Sequence, residues 1–284
     1  MVKKIIIPVR GDGKGENVLA HAAALARRFD AHVVVTHCRP RPEDLLPFGV
    51  PIPAVLKKQM MKQAVELADQ EEGVLRTEFI QLAETLGLKV VQQSNGDSPS
   101  ASWIEEAGRQ VDVIKRHGRL ADLIVVAQPD IDRNLGANTL KSALFHTGRP
   151  VMMCPPAETP PEVLGDKIAI AWNGSTEATR AVALTMGIIE TASEVTILSA
   201  GSEVHGAGSA DLVSYLADRN ITTKVDRFTA EKKIGVELLA RAKSCGADLM
   251  IMGAYGDSHE RETVFGGNTQ TIVDTAKMPV ILVH

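Results

Sequence analysis

Short apolar runs rich in β-branched residues alternate with stretches of helical period along the whole 284-residue chain. In the first half they predict strands near 4–9, 32–38, 88–93, 122–127 and 150–154, and helices near 16–29, 55–86, 100–116 and 138–147. In the second half the strands fall near 167–172, 194–200, 222–228, 248–253 and 279–283. Its helices fall near 175–190, 208–219, 231–245 and 268–276. Runs such as "LIVVA" and "LMIMG" are apolar throughout, not alternating, which indicates a sheet covered on both faces. Five strands joined by helices predict an α/β class, with a parallel, doubly wound sheet and right-handed crossovers in each half.

The pattern occurs twice. "KKIIIPVRGDG" (3–13) matches "DKIAIAWNGST" (166–176), and "ADLIVVA" (121–127) matches "ADLMIMG" (247–253). "LGANT" (135–139) matches "FGGNT" (265–269), and "RPVMMC" (149–154) matches "MPVILV" (278–283). The order is preserved, with offsets of 163, 126, 130 and 129, so duplication is the simple explanation. The expected division is a domain over 1–154, a linker over 155–166 and a domain over 167–284. Four prolines in "PPAETPPEVLGD" (155–166) deny the linker both a helix and an interior strand. The first half has one excess, an insertion over 39–56 followed by a long second helix, read as a lid or packing arm between the halves or as a separate binding element.

Composition narrows the function. Apolar residues make up 44% and aromatic residues 4%, which suits cores of Ala, Val, Ile and Leu in layered packing. A net charge of −4 gives no electrostatic footprint for nucleic acid. No run approaches the roughly 18 apolar residues of a membrane span. Cys38, Cys154 and Cys245 are scattered and match neither a metal spacing nor a disulfide framework. The expectation is a soluble cytoplasmic protein with reduced thiols.

The most informative chemistry lies in "MGAYGDSHERETVFGGNT" (252–269). It leaves the carboxyl end of a strand, where open parallel sheets bind ligands. Two residues separate Gly253 from Gly256, and nine separate Gly256 from Gly266. Glycines permit positive φ and bring bare backbone N–H groups to a phosphate. Gly266, Gly267, Asn268 and Thr269 then open a helix whose unpaired N–H groups favour an anion.

This spacing resembles the G-x2-G-x9-G-[S/T] nucleotide motif of the universal stress protein family. "MPVILVH" resembles that family's last strand, and "KIAIAWNGSTEATRAV" its first strand and helix. The resemblance spans both halves as tandem copies. It implies two five-stranded domains of strand order 3-2-1-4-5, like the adenosine-binding superfamily, paired through their last strands. It also implies ATP, AMP or ADP as ligand, with or without magnesium. Gly253, Gly256, Gly266 and Gly267 would then contact ribose and phosphates, with Asn268 and Thr269 at the helix start. Asn173 would stand for the family's nucleotide-contacting Asp, and backbone near Ala200 would meet adenine.

Two departures bear on this reading. Gly267 stands where the family has Ser or Thr, removing a hydroxyl whose charge-assisted hydrogen bond is worth about 1.5–3 kcal/mol; Thr269 could substitute if its side chain turns toward the anion. Asp257, Glu260 and Glu262 outnumber Arg261 in the loop. The first half departs further. Ala127 and Asp130 replace Gly253 and Gly256, and Arg10 stands at the Asp position. That half is expected to be structural or to hold a different ligand.

Other candidates have plainer explanations. "RGDGKGEN" (10–17) fits neither a P-loop nor a dinucleotide fingerprint and reads as a tight turn. His259 could touch phosphate, while His205 and His21 lack metal-spaced partners. Trp172 could stack on a base or pack between helix and sheet. No residue is an evident catalytic base. Three functions remain open: a nucleotide-binding, stress-linked sensor or adaptor with at most slow hydrolysis; a nucleotide-free interaction scaffold; and an enzyme forming or transferring AMP. A homodimer is compatible with each.

Overall fold

The structure is a computed structural model describing residues 1–9, 14–39, 41, 53–159, 161–201, 206–256 and 267–284. The first half runs β1 (Lys4–Val9), α1 (Gly15–Phe29), β2 (His32–Arg39), α2 (Ala54–Thr85), β3 (Lys89–Val90), β4 (Ser100–Ala107), α3 (Gln110–Gly118), β5 (Leu123–Ala127), α4 (Ala137–Thr147) and β6 (Val151–Cys154). The second half runs β7 (Lys167–Ala171), α5 (Thr176–Leu184), α6 (Met186–Ile189), β8 (Glu194–Ala200), α7 (Ser209–Ala217), β9 (Thr223–Phe228), α8 (Ile234–Ser244), β10 (Leu249–Gly253), α9 (Gly267–Thr275) and β11 (Val280–Val283).

Among the described residues all strands join one sheet of order β3-β4-β2-β1-β5-β6-β11-β10-β7-β8-β9. Every pairing is parallel except that of β6 with β11, which is antiparallel with Met152 opposite Ile281. The second half thus has strand order 3-2-1-4-5 counted within itself. Side chains alternate across the sheet, and each face has its own core. Ile5, Val125, Met152, Ile251 and Ile281 face one core with α1 and α5, and Ile124, Val126, Met153, Met250 and Leu282 face the other with α4 and α9. Both cores run without interruption across the β6–β11 junction. No helix among the described residues is long and apolar enough to cross a membrane.

The first half corrects the expectation in two places. Residues 100–107 form β4, not the start of a helix over 100–116; the helix begins only at Gln110. "SASWIEEA" is compatible with a helix locally, but β4 pairs with β2 over eight residues, and both ring nitrogens of His32 lie 2.9 Å from the hydroxyls of Ser100 and Ser102. Tertiary pairing overrides propensity here. The strand expected over 88–93 shrinks to Lys89–Val90 at the sheet edge, so the first half has six strands among the described residues and β4 takes the third place in the order. In the second half the expected helix over 175–190 breaks at Thr185 into α5 and α6. Of the insertion expected over 39–56, residues 40 and 42–52 lie outside the described residues. The helix that follows it, α2, packs on β3, β4 and α1 of its own half.

Candidate functional site

In the second half, β7 and β10 are neighbours, with Ala171 opposite Met252. This is the point where strand order reverses, and both strands end toward the same crevice. At the end of β7, Trp172 is buried and its indole N–H donates to the Ala207 carbonyl at 3.0 Å. That bond fixes Trp172 as a packing residue of the helix–sheet layer. Asn173 is exposed, and its side-chain oxygen accepts the Ser175 amide at 3.1 Å across a turn in which Gly174 has φ 73°. Ser175 then caps α5, its hydroxyl accepting the Ala178 amide at 3.2 Å. The turn therefore fixes both the acceptor of Asn173 and the start of α5.

At the end of β10 the chain is held as firmly. The Ala254 amide donates to the Val283 carbonyl at 2.8 Å. Tyr255 is buried, with its ring 5.1 Å from Phe145 of α4, so a first-half helix supports the second-half crevice. Burial pushes the Tyr255 phenol far up, keeping it neutral. The Tyr255 amide reaches the hydroxyl of Thr269 in the first turn of α9 at 3.4 Å. Thr269 is buried, so its hydroxyl serves the loop and does not turn outward in place of the one missing at Gly267.

The glycines work differently from the expectation. Neither Gly253 nor Gly256 nor Gly267 takes a positive φ; Tyr255 does, at 60°. Gly253 is required for close approach instead. A Cβ there would lie 2.5 Å from the Ala178 nitrogen and 2.6 Å from the Glu177 carbonyl carbon, inside the backbone of α5. At Gly256 the nearest atom would be Oε2 of Glu177 at 3.1 Å, the far end of a flexible side chain. Nothing crowds Gly267.

Gly267 and Asn268 are exposed at the start of α9. Ala200 is half-buried at the end of β8, opposite Phe228, and the next residue, Gly201, turns with φ 75° and donates to the Phe228 carbonyl at 2.8 Å. Gly253, Gly256, Asn173 and the first turns of α5 and α9 are thus brought to one crevice, with Ala200 two strands from β10. Gly266 lies outside the described residues, as do Asp257, His259, Glu260, Arg261 and Glu262, His205, and Arg10 to Gly13, which follow β1 in the chain.

The first-half counterpart is built otherwise. Asp130 exchanges backbone hydrogen bonds with Leu135, and its carboxylate accepts the Arg133 amide at 3.1 Å and lies 3.3 Å from the Lys14 ammonium. Here too a carboxylate stands where the second half has Gly256. Next to it opens a cavity of about 610 Å3 between α1, α2 and the sheet. Sequence reasoning missed this cavity because residues far apart in the chain line it. It also missed Asp122 and Asp248, although both stand in the repeated "ADL" stretch. Asp248 accepts the amides of Gly165, Asp166 and Lys167 at 2.6, 3.0 and 2.9 Å, and Asp122 accepts those of Lys3 and Lys4 at 2.8 and 2.9 Å. Each carboxylate anchors the start of its half's first strand. Among the described residues no cluster of three metal-ligating side chains occurs, and the three cysteines form no disulfide.

Comparison with known proteins follows the same lines. The family model described as "Universal stress protein family" matches residues 1–155 and 190–284. A universal stress protein from Archaeoglobus fulgidus DSM 4304 superposes with a TM-score of 0.71 at 17% identity, covering 99% of this chain and 97% of that one. A functionally unknown protein from Pseudomonas aeruginosa PAO1 gives a TM-score of 0.57 at 15% identity, covering 99% of this chain and 92% of that one. Likeness at these identities concerns the fold. No curated protein matches the chain.

Proposed function

From the premise that this chain belongs to the universal stress protein family, we propose that its second half binds ATP, AMP or ADP in the crevice between β7 and β10. Binding makes the protein a stress-linked sensor or adaptor of the cytoplasm, not an efficient catalyst. The supporting observation is the convergence of two helix starts on one strand end. Gly253 abuts the first turn of α5, and two residues later the Tyr255 amide meets the first turn of α9. Helix N-termini carry partial positive charge and unpaired N–H groups, the donors that a phosphate chain accepts. Magnesium would accompany a triphosphate by neutralising its remaining charge.

A nucleotide-free scaffold is the second reading. It is favoured by Gly267 in the hydroxyl position and by the commitment of the Thr269 hydroxyl to Tyr255. Native mass spectrometry of protein purified without added nucleotide separates the two. A bound mass equal to an adenine nucleotide, or its appearance on adding ATP, is the expected result. Absence of any complex at millimolar ATP would leave the scaffold.

A further inference from the structure

We propose that the first half carries a second, chemically different site: the cavity beneath α2 takes a neutral, largely apolar small molecule. A space of about 610 Å3 falls in the range that holds small organic ligands. Its floor is Ile7, Val35 and Trp103 of β1, β2 and β4, its wall Leu19 of α1, and its roof Phe79 and Leu82 of α2. Phe79 and Trp103 face each other there with ring centroids 5.5 Å apart. Such a lining gains from apolar contact with a ligand.

Charge at the mouth argues against a nucleotide. Lys14 lies 3.3 Å from the Asp130 carboxylate and donates to the Gln128 carbonyl at 3.4 Å, so it already has anionic and carbonyl partners. The Arg133 amide and Lys14 hold the Asp130 carboxyl below the usual range, so it is ionised at neutral pH. Glu16 and Glu78 add two carboxylates to the cavity lining. The start of α4 at Gly136 also borders the cavity, but the Thr139 hydroxyl there is turned to Gln110 at 3.1 Å. With Lys14 matched by Asp130, a phosphate tail would meet the added carboxylates of Glu16 and Glu78; a neutral ligand meets none of that repulsion.

The chain has two tryptophans, which allows a direct test in the full-length protein. Trp172→Phe leaves Trp103 as the sole indole, and Trp103→Phe leaves Trp172. Each is titrated with N-phenyl-1-naphthylamine, a neutral apolar fluorophore that accepts energy from tryptophan. Saturable one-to-one binding is expected, with stronger transfer from Trp103 than from Trp172 and no displacement by millimolar ATP. Leu82→Arg should weaken it by roughly ten-fold, because a charge enters an apolar cavity, while Asp130→Ala should leave it within about two-fold, because the ligand is uncharged. Absence of saturable binding, stronger transfer from Trp172, or displacement by ATP would overturn the proposal. The comparison of the two phenylalanine variants decides the matter even if Leu82→Arg fails to fold.

Discussion

The side-chain amide of Gln128 donates to the carbonyl of Val273 at 2.7 Å, joining residues 145 positions apart in the buried centre of the molecule. Gln128 follows β5 of the first half, and Val273 lies in the last turn of α9, where helical carbonyls lack intrahelical donors. One buried amide thus completes a second-half helix from the first half. Gln128→Ala leaves that carbonyl buried and unsatisfied, and should cost about 1–3 kcal/mol. The urea midpoint of the full chain should fall accordingly, and an unchanged midpoint would show that the bond carries no net stability.

The two motif glycines should separate cleanly. A methyl group at Gly253 meets α5 backbone that cannot move without disturbing the Ser175 cap, so Gly253→Ala should destabilise by about 1–3 kcal/mol. At Gly256 the contact is only the end of Glu177, and Gly256→Ala should change stability by about 0.5 kcal/mol or less. Chemical denaturation of both variants measures the difference; equal losses would contradict the close-approach explanation.

Much of this organisation was legible in the sequence. The duplication, the positions of β1, β2, β5, β7, β8, β10 and β11, and the extent of α2 follow from local apolar period and from repeated segments. What was hidden depends on partners distant in sequence. β4 exists because β2 offers eight residues of register, which no local pattern in "SASWIEEA" announces. The need for glycine at 253 comes from a helix that begins 77 residues earlier at Thr176, not from the conformation of the glycine itself. The first-half cavity is assembled by residues from α1, α2, α4 and four strands, so no single stretch contains it.

Asp248 predicts a larger effect than its surface position suggests. It accepts three successive amides at the start of β7, and Asp248→Ala removes them all. The loss should be at least about 1.5–3 kcal/mol, the worth of one hydrogen bond to a charged group. Hydrogen exchange should quicken at Gly165 to Lys167 in the variant; unchanged protection there would refute the anchoring role.

Glu105 should set a pH dependence. Burial, then the nearby Glu72, raise its carboxyl from 4.5 to about 7, against the lowering effect of Arg39, whose Nε lies 3.1 Å away. Because the folded value exceeds the unfolded one, its contribution is fully present below pH of about 4.5 and is lost as pH rises through about 7. The melting temperature of the natural protein, less that of Glu105→Gln, should therefore decline across that window and level off above it. A difference independent of pH would rule this out.

Nucleotide binding in the second half is tested most directly by residue-resolved titration. With glycine selectively 15N-labelled, ATP should shift the amide signals of Gly253, Gly256 and Gly267 and leave Gly15 and Gly136 beside the first-half cavity unmoved. Gly256→Glu, which places a carboxylate next to Glu177 at the crevice, should abolish those shifts while the remaining glycine signals keep their positions. Shifts confined to Gly15 and Gly136, or no shifts at millimolar ATP, would contradict a nucleotide site between β7 and β10.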